Sequence, residues 1–130
     1  GILIDTLHFS RSQCSVAHLA RLPREWFRYV QVCDAPATAP SSVEGLIHAA
    51  RSDRLFLGEG DLDLIGILGA LPRDTPYALE IPRTALARVI GLEECARLAL
   101  TSARKFVQEL PDPAGIKPHL HSGSHATRSH

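Results

Sequence analysis

The sequence has no methionine, few aromatic residues and no excess of either charge. Aromatic side chains make up 5% of its 130 residues, and 14 Lys+Arg residues balance 14 Asp+Glu residues. This balance argues against a nucleic-acid-binding protein, which normally carries a basic surface that replaces phosphate counterions. The sequence also has no run of about 18 apolar residues, so it predicts no membrane-spanning helix.

Cysteine is scarce as well. Cys14, Cys33 and Cys95 are odd in number and widely spaced, and no C-x-x-C motif is present. The pattern therefore predicts neither a zinc knuckle nor a disulfide framework. No basic-then-apolar leader opens the sequence. We expect free thiols in a reducing compartment, and hence a cytoplasmic protein.

The missing methionine has a further implication. Gly1 leads directly into the apolar run Ile2-Leu3-Ile4, although strands rarely begin at the second residue of a protein. We therefore expect the sequence to be a piece of a longer protein.

Short apolar runs predict three strands, at residues 2–7, 27–34 and 76–81. Helices are predicted between and after them, at residues 15–22, 43–51 and 61–71 and in a long stretch that breaks at Gly91 and ends at Pro111. Residues 10–14 are expected to form a loop. Strands that alternate with helices at this spacing indicate right-handed βαβ units and a parallel sheet.

Three parallel strands make a poor independent sheet, because both edge strands expose unpaired backbone N–H and C=O groups beside apolar faces. A closed eight-stranded barrel needs roughly 200 residues or more. We therefore predict an α/β fold that is a partial (β/α) barrel: the last three parallel βα units, incomplete without further units or a partner. Residues 1–110 are assigned to the barrel part. The Pro-, His- and Ser-rich residues 111–130 are assigned to a flexible tail, whose histidines could bind adventitious metal.

Polar residues occur where the predicted strands end, which is where parallel α/β folds place reactive groups. Asp5 and His8 follow the first strand, Gln31 lies within the second, and Glu80 lies between Leu79 and Ile81 in the third. A glutamate inside an apolar strand is unfavourable unless it is paired or bound to a metal. Glu80 is therefore the most informative residue of the sequence.

Each of these residues also has a purely structural interpretation. Glu80 could form an ion pair with an arginine, and Asp5 could cap a helix. His8 could be a hydrogen-bonded core or loop histidine, and Gln31 could be an amide whose hydrogen bonds are satisfied within the sheet.

The segment from Arg54 to Asp61 carries a further signal. Arg54 offers a forked donor for a hydroxyl, carboxylate or phosphate group. Gly58 and Gly60 permit close approach of the backbone, and Asp61 is placed to cap the next helix. A surface turn would explain the two glycines equally well.

Four segments together resemble a known family. They are Asp5–His8, Tyr29–Asp34, Arg54–Asp63 and Leu79–Pro82, in this order. The set resembles the C-terminal part of the sugar phosphate isomerase/epimerase family, the xylose isomerase-like TIM barrels. The resemblance runs from residue 2 to about residue 110.

The resemblance implies a divalent metal site at the mouth of the barrel. Asp5, Gln31 and Glu80 would be its ligands in this chain, and Glu80 would also act as an acid/base. Gln31 stands where many members have a histidine, and a second glutamate ligand would have to come from a strand that this sequence lacks. Oxygen ligands favour Mg²⁺ or Mn²⁺ over Zn²⁺. His8 would contact a substrate oxygen, and Arg54 would bind the substrate.

The expected function is therefore proton transfer beside a metal-polarised carbonyl and hydroxyl, as part of a sugar (phosphate) isomerase or epimerase. A dehydratase of a keto acid or inosose on the same barrel is an alternative. A further alternative is a non-catalytic assembly module that has lost the metal site. The expected partners are a sugar, sugar phosphate or keto-acid substrate and either a second copy of the chain or the missing barrel units, with no nucleic acid and no membrane. We expect the chain alone to be inactive.

Overall fold

A computed structural model describes residues 1–111. Its strands are β1 (Ile2–Asp5), β2 (Phe27–Val32) and β3 (Tyr77–Leu79). Its α-helices are α1 (Thr6–Arg11), α2 (Val16–Leu19), α3 (Val43–Ser52), α4 (Leu64–Gly69), α5 (Thr84–Ile90) and α6 (Leu92–Glu109), and a short 3₁₀ turn, Arg24–Trp26, precedes β2.

The three strands form one parallel sheet in the order β1-β2-β3. Helices α1 and α2 connect the first two strands, and α3 and α4 connect the second to the third. The predicted mixed α/β fold with a parallel sheet is confirmed, and within residues 1–111 the sheet does not close into a barrel.

The two faces of the sheet differ sharply. Ile4, Val30 and Val32 belong to the main core, in which they pack with residues of α2, α4 and α6. Side chains alternate between faces along a strand, so their neighbours Leu3 and Tyr29 lie on the opposite face. These two side chains are 48% and 41% exposed. One face is therefore covered by helices, and the other is largely uncovered within the described residues.

The first strand is shorter than predicted. It ends at Asp5, and helix α1 begins at Thr6, so the expected strand at residues 6–7 and part of the expected loop at residues 10–14 are helical instead. The cause is local: Oδ1 of Asp5 accepts hydrogen bonds from the backbone N–H groups of Leu7 and His8, at 2.9 and 3.1 Å. An aspartate in this position caps a helix and turns the chain out of the sheet.

Two helix predictions need correction. Helix α4 begins at Leu64, and its N-cap is Asp63, which accepts a hydrogen bond from the backbone of Gly66. The expected cap, Asp61, lies before the helix. In α6 the buried positions are Cys95, Ala99 and Ala103.

The buried face of α6 is narrow. Leu92 and Val107, apolar residues near its two ends, are 80% and 43% exposed. They flank the contact with the core rather than enter it. Between residues 1 and 111, no helix has the length and apolar character needed to cross a membrane. The predicted tail, apart from Pro111, lies outside the described residues.

Candidate functional site

An open pocket lies at the carboxyl ends of the strands. Its volume is about 680 Å³, and its lining residues are His8, Leu46, Ile47, Ala50, Arg51, Arg54, Glu80 and Pro82. We call it the mouth pocket. Three of the predicted site residues meet here from separate elements: His8 from α1, Arg54 from the segment after α3, and Glu80 from the end of β3.

Backbone pairing fixes the segment that carries Arg54. The N–H group of Arg54 donates to the carbonyl of Pro82 at 3.0 Å, and Leu55 and Asp34 exchange two backbone hydrogen bonds at 2.9 and 3.0 Å. Asp53 and Arg83 form an antiparallel bridge beside them. The segment is thus fastened between the ends of β2 and β3, which directs the Arg54 side chain across the end of the sheet.

The Arg54 side chain is 3% exposed and is engaged on several sides. Its Nη1 donates to Oδ2 of Asp5 at 2.8 Å, to Sγ of Cys33 at 3.6 Å and to the backbone carbonyl of Glu80 at 3.3 Å. Its Nε donates to the carbonyl of Ala50 at 2.8 Å. Arg54 therefore ties together β1, the end of β2, α3 and the end of β3.

Arg54 stays positively charged in this environment. Burial disfavours the charged guanidinium, but the hydrogen bond to Asp5 and the negative charge of that carboxylate outweigh burial and raise the pKa of Arg54 above its usual value. The ion pair is buried on both sides, since Asp5 is only 9% exposed. A buried pair of this kind is strongly destabilised when one partner is removed.

Both oxygens of Asp5 already accept hydrogen bonds. Oδ1 accepts the two N-cap hydrogen bonds at the start of α1, and Oδ2 accepts from Arg54. The helix-cap interpretation of this residue therefore describes the structure, with an ion pair added. Its assignment as a metal ligand stays a prediction.

Glu80 sits differently from the sequence-based expectation of a buried strand residue. Its N–H group extends the ladder by donating to the carbonyl of Val32 at 3.1 Å, but β3 is an edge strand and the Glu80 side chain is 42% exposed. Oε1 lies 3.9 Å from Nη2 of Arg54, beyond hydrogen-bond range. Oε2 is shielded from solvent and has no hydrogen-bond partner among residues 1–111. A buried acceptor without a donor is unusual and needs an explanation.

The remaining two predicted residues are freer. His8 is exposed at the rim of the mouth pocket. Gln31 is half-buried, pairs in register with Asp5 and Ala78, and does not line the mouth pocket.

These residues do not fit a divalent cation as they stand. The charge of Asp5 is already neutralised by Arg54 at 2.8 Å, and Gln31 is away from the pocket that Glu80 lines. In the part of the chain that the structure describes, no group of three or more His, Cys, Asp or Glu side chains is placed to hold a metal ion. Of the expected ligands, Glu80 alone lines the mouth pocket.

Sequence reasoning missed the role of Asp34. This residue is 2% exposed, and its carboxylate accepts four backbone hydrogen bonds, from Ala35, Gly58, Gly60 and Leu62, at 2.8 to 3.2 Å. The carboxylate thus shapes the loop that precedes α4. The available signal was an aspartate at the end of a strand together with a distant Gly-x-Gly.

The two glycines of this loop answer a structural need. Gly58 has a φ of +86°, which favours glycine. A Cβ at Gly60 would lie 2.4 Å from the carbonyl oxygen of Ala35 and 2.5 Å from Oδ1 of Asp34. The close approach predicted for this segment is therefore made to the protein's own backbone and to Asp34.

A buried link between Thr6 and Cys33 supports the same edge of the sheet. The Thr6 hydroxyl donates to the carbonyl of Cys33 at 2.8 Å and accepts from its N–H at 3.0 Å. Burial raises the pKa of the Cys33 thiol, against the lowering effect of the Thr6 hydrogen bond and the Arg54 charge. All three cysteines are free, as predicted, and only Cys14 is exposed.

Comparison with solved structures identifies a neighbour of the same fold. The chain is similar to a crystal structure of the IOLI protein with a bound zinc atom, at 18% sequence identity and a TM-score of 0.68. The match covers 86% of this chain and 39% of that one, so the chain spans about two fifths of the length of its neighbour. No family model and no curated protein matches the sequence. Because the neighbour is a TIM-barrel protein, the comparison supports a barrel-type α/β fold.

Proposed function

We propose that this chain is the C-terminal part of a xylose isomerase-like barrel and that its mouth pocket takes part in proton transfer on a sugar, sugar phosphate or keto acid. One observation carries the proposal: His8, Arg54 and Glu80 come from separate elements to line one pocket at the carboxyl edge of a parallel sheet. This edge is where (β/α) barrels place their chemistry.

The side chains of the mouth pocket suit proton transfer next to a carbonyl group. Glu80, whose side chain is 42% exposed, offers its carboxylate to the C–H group beside the carbonyl. His8, at the rim, is placed to contact a substrate hydroxyl. Isomerisation, epimerisation and dehydration share this first step, so a dehydratase of a keto acid or inosose fits the same pocket.

A divalent metal is the cofactor that the sequence predicts, and the structural neighbour contains zinc. When bound, such a metal would polarise the carbonyl oxygen. Oxygen ligands would favour Mg²⁺ or Mn²⁺. Asp5 and Gln31 do not present a binding site together with Glu80, so we route no step of the reaction through a metal. A cytoplasmic location, where the three thiols would remain reduced, belongs to the same proposal.

Hydrogen–deuterium exchange at carbon tests the proposal without knowledge of the product. The full-length natural protein that contains this sequence is incubated in D₂O with aldoses, ketoses, their phosphates and hydroxy keto acids, and the loss of the C–H signal beside the carbonyl is followed by proton NMR. We expect exchange above the buffer rate with one of these classes. Glu80→Gln should slow it at least about 100-fold, because an amide is no base.

The matched control is Glu93→Gln. Glu93 is an exposed glutamate in the first turn of α6, away from the mouth pocket, and its substitution should leave exchange unchanged. Absence of exchange in every substrate class, or equal exchange in wild type and Glu80→Gln, contradicts the proposal.

A non-catalytic assembly module is the second candidate, and the uncovered sheet face favours it. Leu3 and Tyr29 are half-exposed on this face, and an apolar groove of about 630 Å³ runs beside the β3 edge, with Leu79 and Leu92 in its lining. A homo-oligomer or the missing barrel units would cover both surfaces. Sedimentation of the chain at low micromolar concentration is the test. A stable monomer contradicts an obligate partner, and a dimer that Leu92→Glu dissociates supports one.

A further inference from the structure

We infer that Arg54 is the built-in cation of the mouth pocket: its guanidinium neutralises Asp5 in place of a divalent metal, and its free Nη2 polarises an oxygen of the substrate beside Glu80. This inference rests on the proposed function, because it assigns the electrophile to the same pocket. It concerns a substrate that carries a carbonyl or carboxylate oxygen next to an acidic C–H group.

The first support is that the nitrogens of the guanidinium differ in their partners. Nε and Nη1 donate to Ala50, Asp5, Cys33 and Glu80, all within the protein. Within residues 1–111 Nη2 makes no hydrogen bond, and Oε1 of Glu80 lies 3.9 Å from it. The anchored nitrogens fix the orientation of the group, and the remaining nitrogen keeps its donors for a ligand in the mouth pocket.

The second support is that a metal and Arg54 compete for the same charge. A divalent ion on Asp5 would displace Nη1 from Oδ2, where it now lies at 2.8 Å. The guanidinium, 3% exposed, would then remain buried next to a doubly charged cation. Like charges at close range in a poorly solvated site repel strongly, so the pair as built excludes the ion.

The third support is the position of Glu80 beside Nη2. The Glu80 side chain is 42% exposed, and its Oε1 lies 3.9 Å from Nη2, which makes no hydrogen bond within residues 1–111. A substrate with a carbonyl oxygen and an adjacent C–H group can contact both groups at once. The oxygen accepts from Nη2, and the C–H group faces the carboxylate of Glu80.

The step balances without a further reagent. Glu80 accepts the proton, the C–H bonding pair becomes the C=C bond of an enediolate, and the carbonyl π pair moves onto the oxygen that Nη2 contacts. Negative charge thus develops beside a fixed cation, which is the arrangement that stabilises such a transition state. Glu80 then exchanges this proton for a deuteron of the solvent, and delivery of the deuteron to carbon completes the exchange.

Thermal unfolding in Mg²⁺ or Mn²⁺ tests the first half of the inference. These hard ions are chosen because the imidazoles of residues 119–130 prefer zinc and nickel. We expect the wild-type melting temperature to move by no more than about 1 °C, where saturation of a real site would raise it by about 5 °C or more. A rise of that size that disappears in Asp5→Asn would show Asp5 to be a metal ligand and would overturn the inference.

Substitution of Arg54 tests whether a metal can bind once the guanidinium is removed. Arg54→Met leaves Asp5 and Glu80 without their cation, so this variant should gain a Mn²⁺-dependent rise in melting temperature that wild type lacks. A folded Arg54→Met without such a rise contradicts the inference. If Arg54→Met does not fold, Arg54→Lys decides: it keeps a charge on Asp5, and its melting temperature should be as insensitive to Mn²⁺ as that of wild type.

The exchange assay tests the second half. Exchange by wild type should resist EDTA, and Arg54→Lys, which lacks Nη2, should lose at least about 10-fold in rate while it stays folded. Abolition of exchange by EDTA, or full exchange in Arg54→Lys, overturns the role of Nη2. Failure of the proposed function has a different signature: no exchange in any protein, whatever the outcome of the metal titrations.

Discussion

Asp5 and Asp34 are both buried carboxylates at the carboxyl ends of neighbouring strands, yet their charges are balanced in different ways. Asp34 accepts four backbone N–H groups and has no cationic partner among the contacts described above. Asp5 accepts two backbone N–H groups and one guanidinium. Three of the partners of Asp34 belong to the loop between residues 55 and 62, whereas the cationic partner of Asp5 lines the mouth pocket.

At this edge of the sheet, one carboxylate shapes the backbone and the other positions a side chain of the mouth pocket. Asp34 determines the path of the loop between residues 55 and 62, and none of its hydrogen-bond partners lines the mouth pocket. Asp5 holds Arg54, and Arg54 reaches the pocket. Substitution of Asp34 should therefore change stability above all, whereas substitution of the Asp5–Arg54 pair should change stability and ligand binding together.

The largest effect is expected at Asp34. Asp34→Ala leaves four backbone N–H groups without their shared acceptor and should lower the free energy of unfolding by about 3–5 kcal/mol. Urea denaturation measures it. Asp61→Asn is the matched control, because Asp61 is exposed and accepts only one long hydrogen bond, of 3.4 Å from Ala37. Its cost should stay within about 0.5 kcal/mol, and equal costs at the two positions would refute the role given to Asp34.

The next largest effect is expected at the ion pair. Arg54→Met should destabilise the protein by about 3 kcal/mol, because it leaves the Asp5 carboxylate buried and unpaired. The double variant with Asp5→Asn should lose at least about 1 kcal/mol less than the sum of the two single variants. Additive losses in urea denaturation would mean that the two groups stabilise the fold independently.

A smaller effect is expected at Gly60. Gly60→Ala places a Cβ 2.4 Å from a backbone oxygen and should cost about 1–3 kcal/mol through the shift it forces on the Asp34 loop. Gly69→Ala is the control, since a Cβ there meets nothing within 4 Å and the residue lies in α4. Alanine should be neutral or stabilising at that position, by up to about 1 kcal/mol. The same loss at both glycines would remove the steric argument.

Thiol labelling provides a comparison without substitution. Cys14 is exposed, whereas Cys33 and Cys95 are buried, and burial raises the pKa of Cys33. A disulfide reagent at pH 8 should therefore modify one thiol rapidly and the other two at the rate at which the protein opens. Rapid modification of Cys33 in the folded protein would mean that the edge of the sheet near Arg54 is loose.

The smallest effect is expected at the exposed pair Arg24–Asp74, in which the hydrogen bond from Arg24 lowers the pKa of Asp74. A lowered carboxyl pKa stabilises the folded state above the usual aspartate value of about 4, and this stabilisation is lost as the pH falls through the lowered value. Asp74→Asn should therefore be slightly less stable than wild type at pH 7, with the gap closing in acid. A difference in urea midpoint between wild type and Asp74→Asn that grows as the pH falls would contradict this expected direction.

Local patterns predicted most of the element order. The apolar runs located all three strands, and the break at Gly91 separated α5 from α6, because burial and caps are encoded over a few residues. The end of β1 was missed for a local reason: Asp5 was interpreted as a strand-end ligand, and its competing role as a helix cap determines where the chain turns.

The sequence predicted which residues form the candidate site but not how their side chains are arranged. His8, Arg54 and Glu80 were identified from the sequence, but the burial of Arg54 depends on pairing with Pro82, 28 positions away, which no local pattern encodes. The exposure of Glu80 likewise depends on β3 lying at the edge of the sheet. The role of Asp34 was missed because its acceptors serve a loop more than 20 residues further along the chain.

The anchoring of Arg54 divides the mouth pocket into a part that resists change and a part that tolerates it. Its base is shared with the ends of all three strands, so a substitution there disturbs folding before it alters selectivity. At the rim, the exposed side chains of His8 and Arg51 make no comparable hydrogen bonds to the strand ends in the described structure. Evolution or engineering of new preferences should therefore proceed through rim substitutions, with the base inherited unchanged.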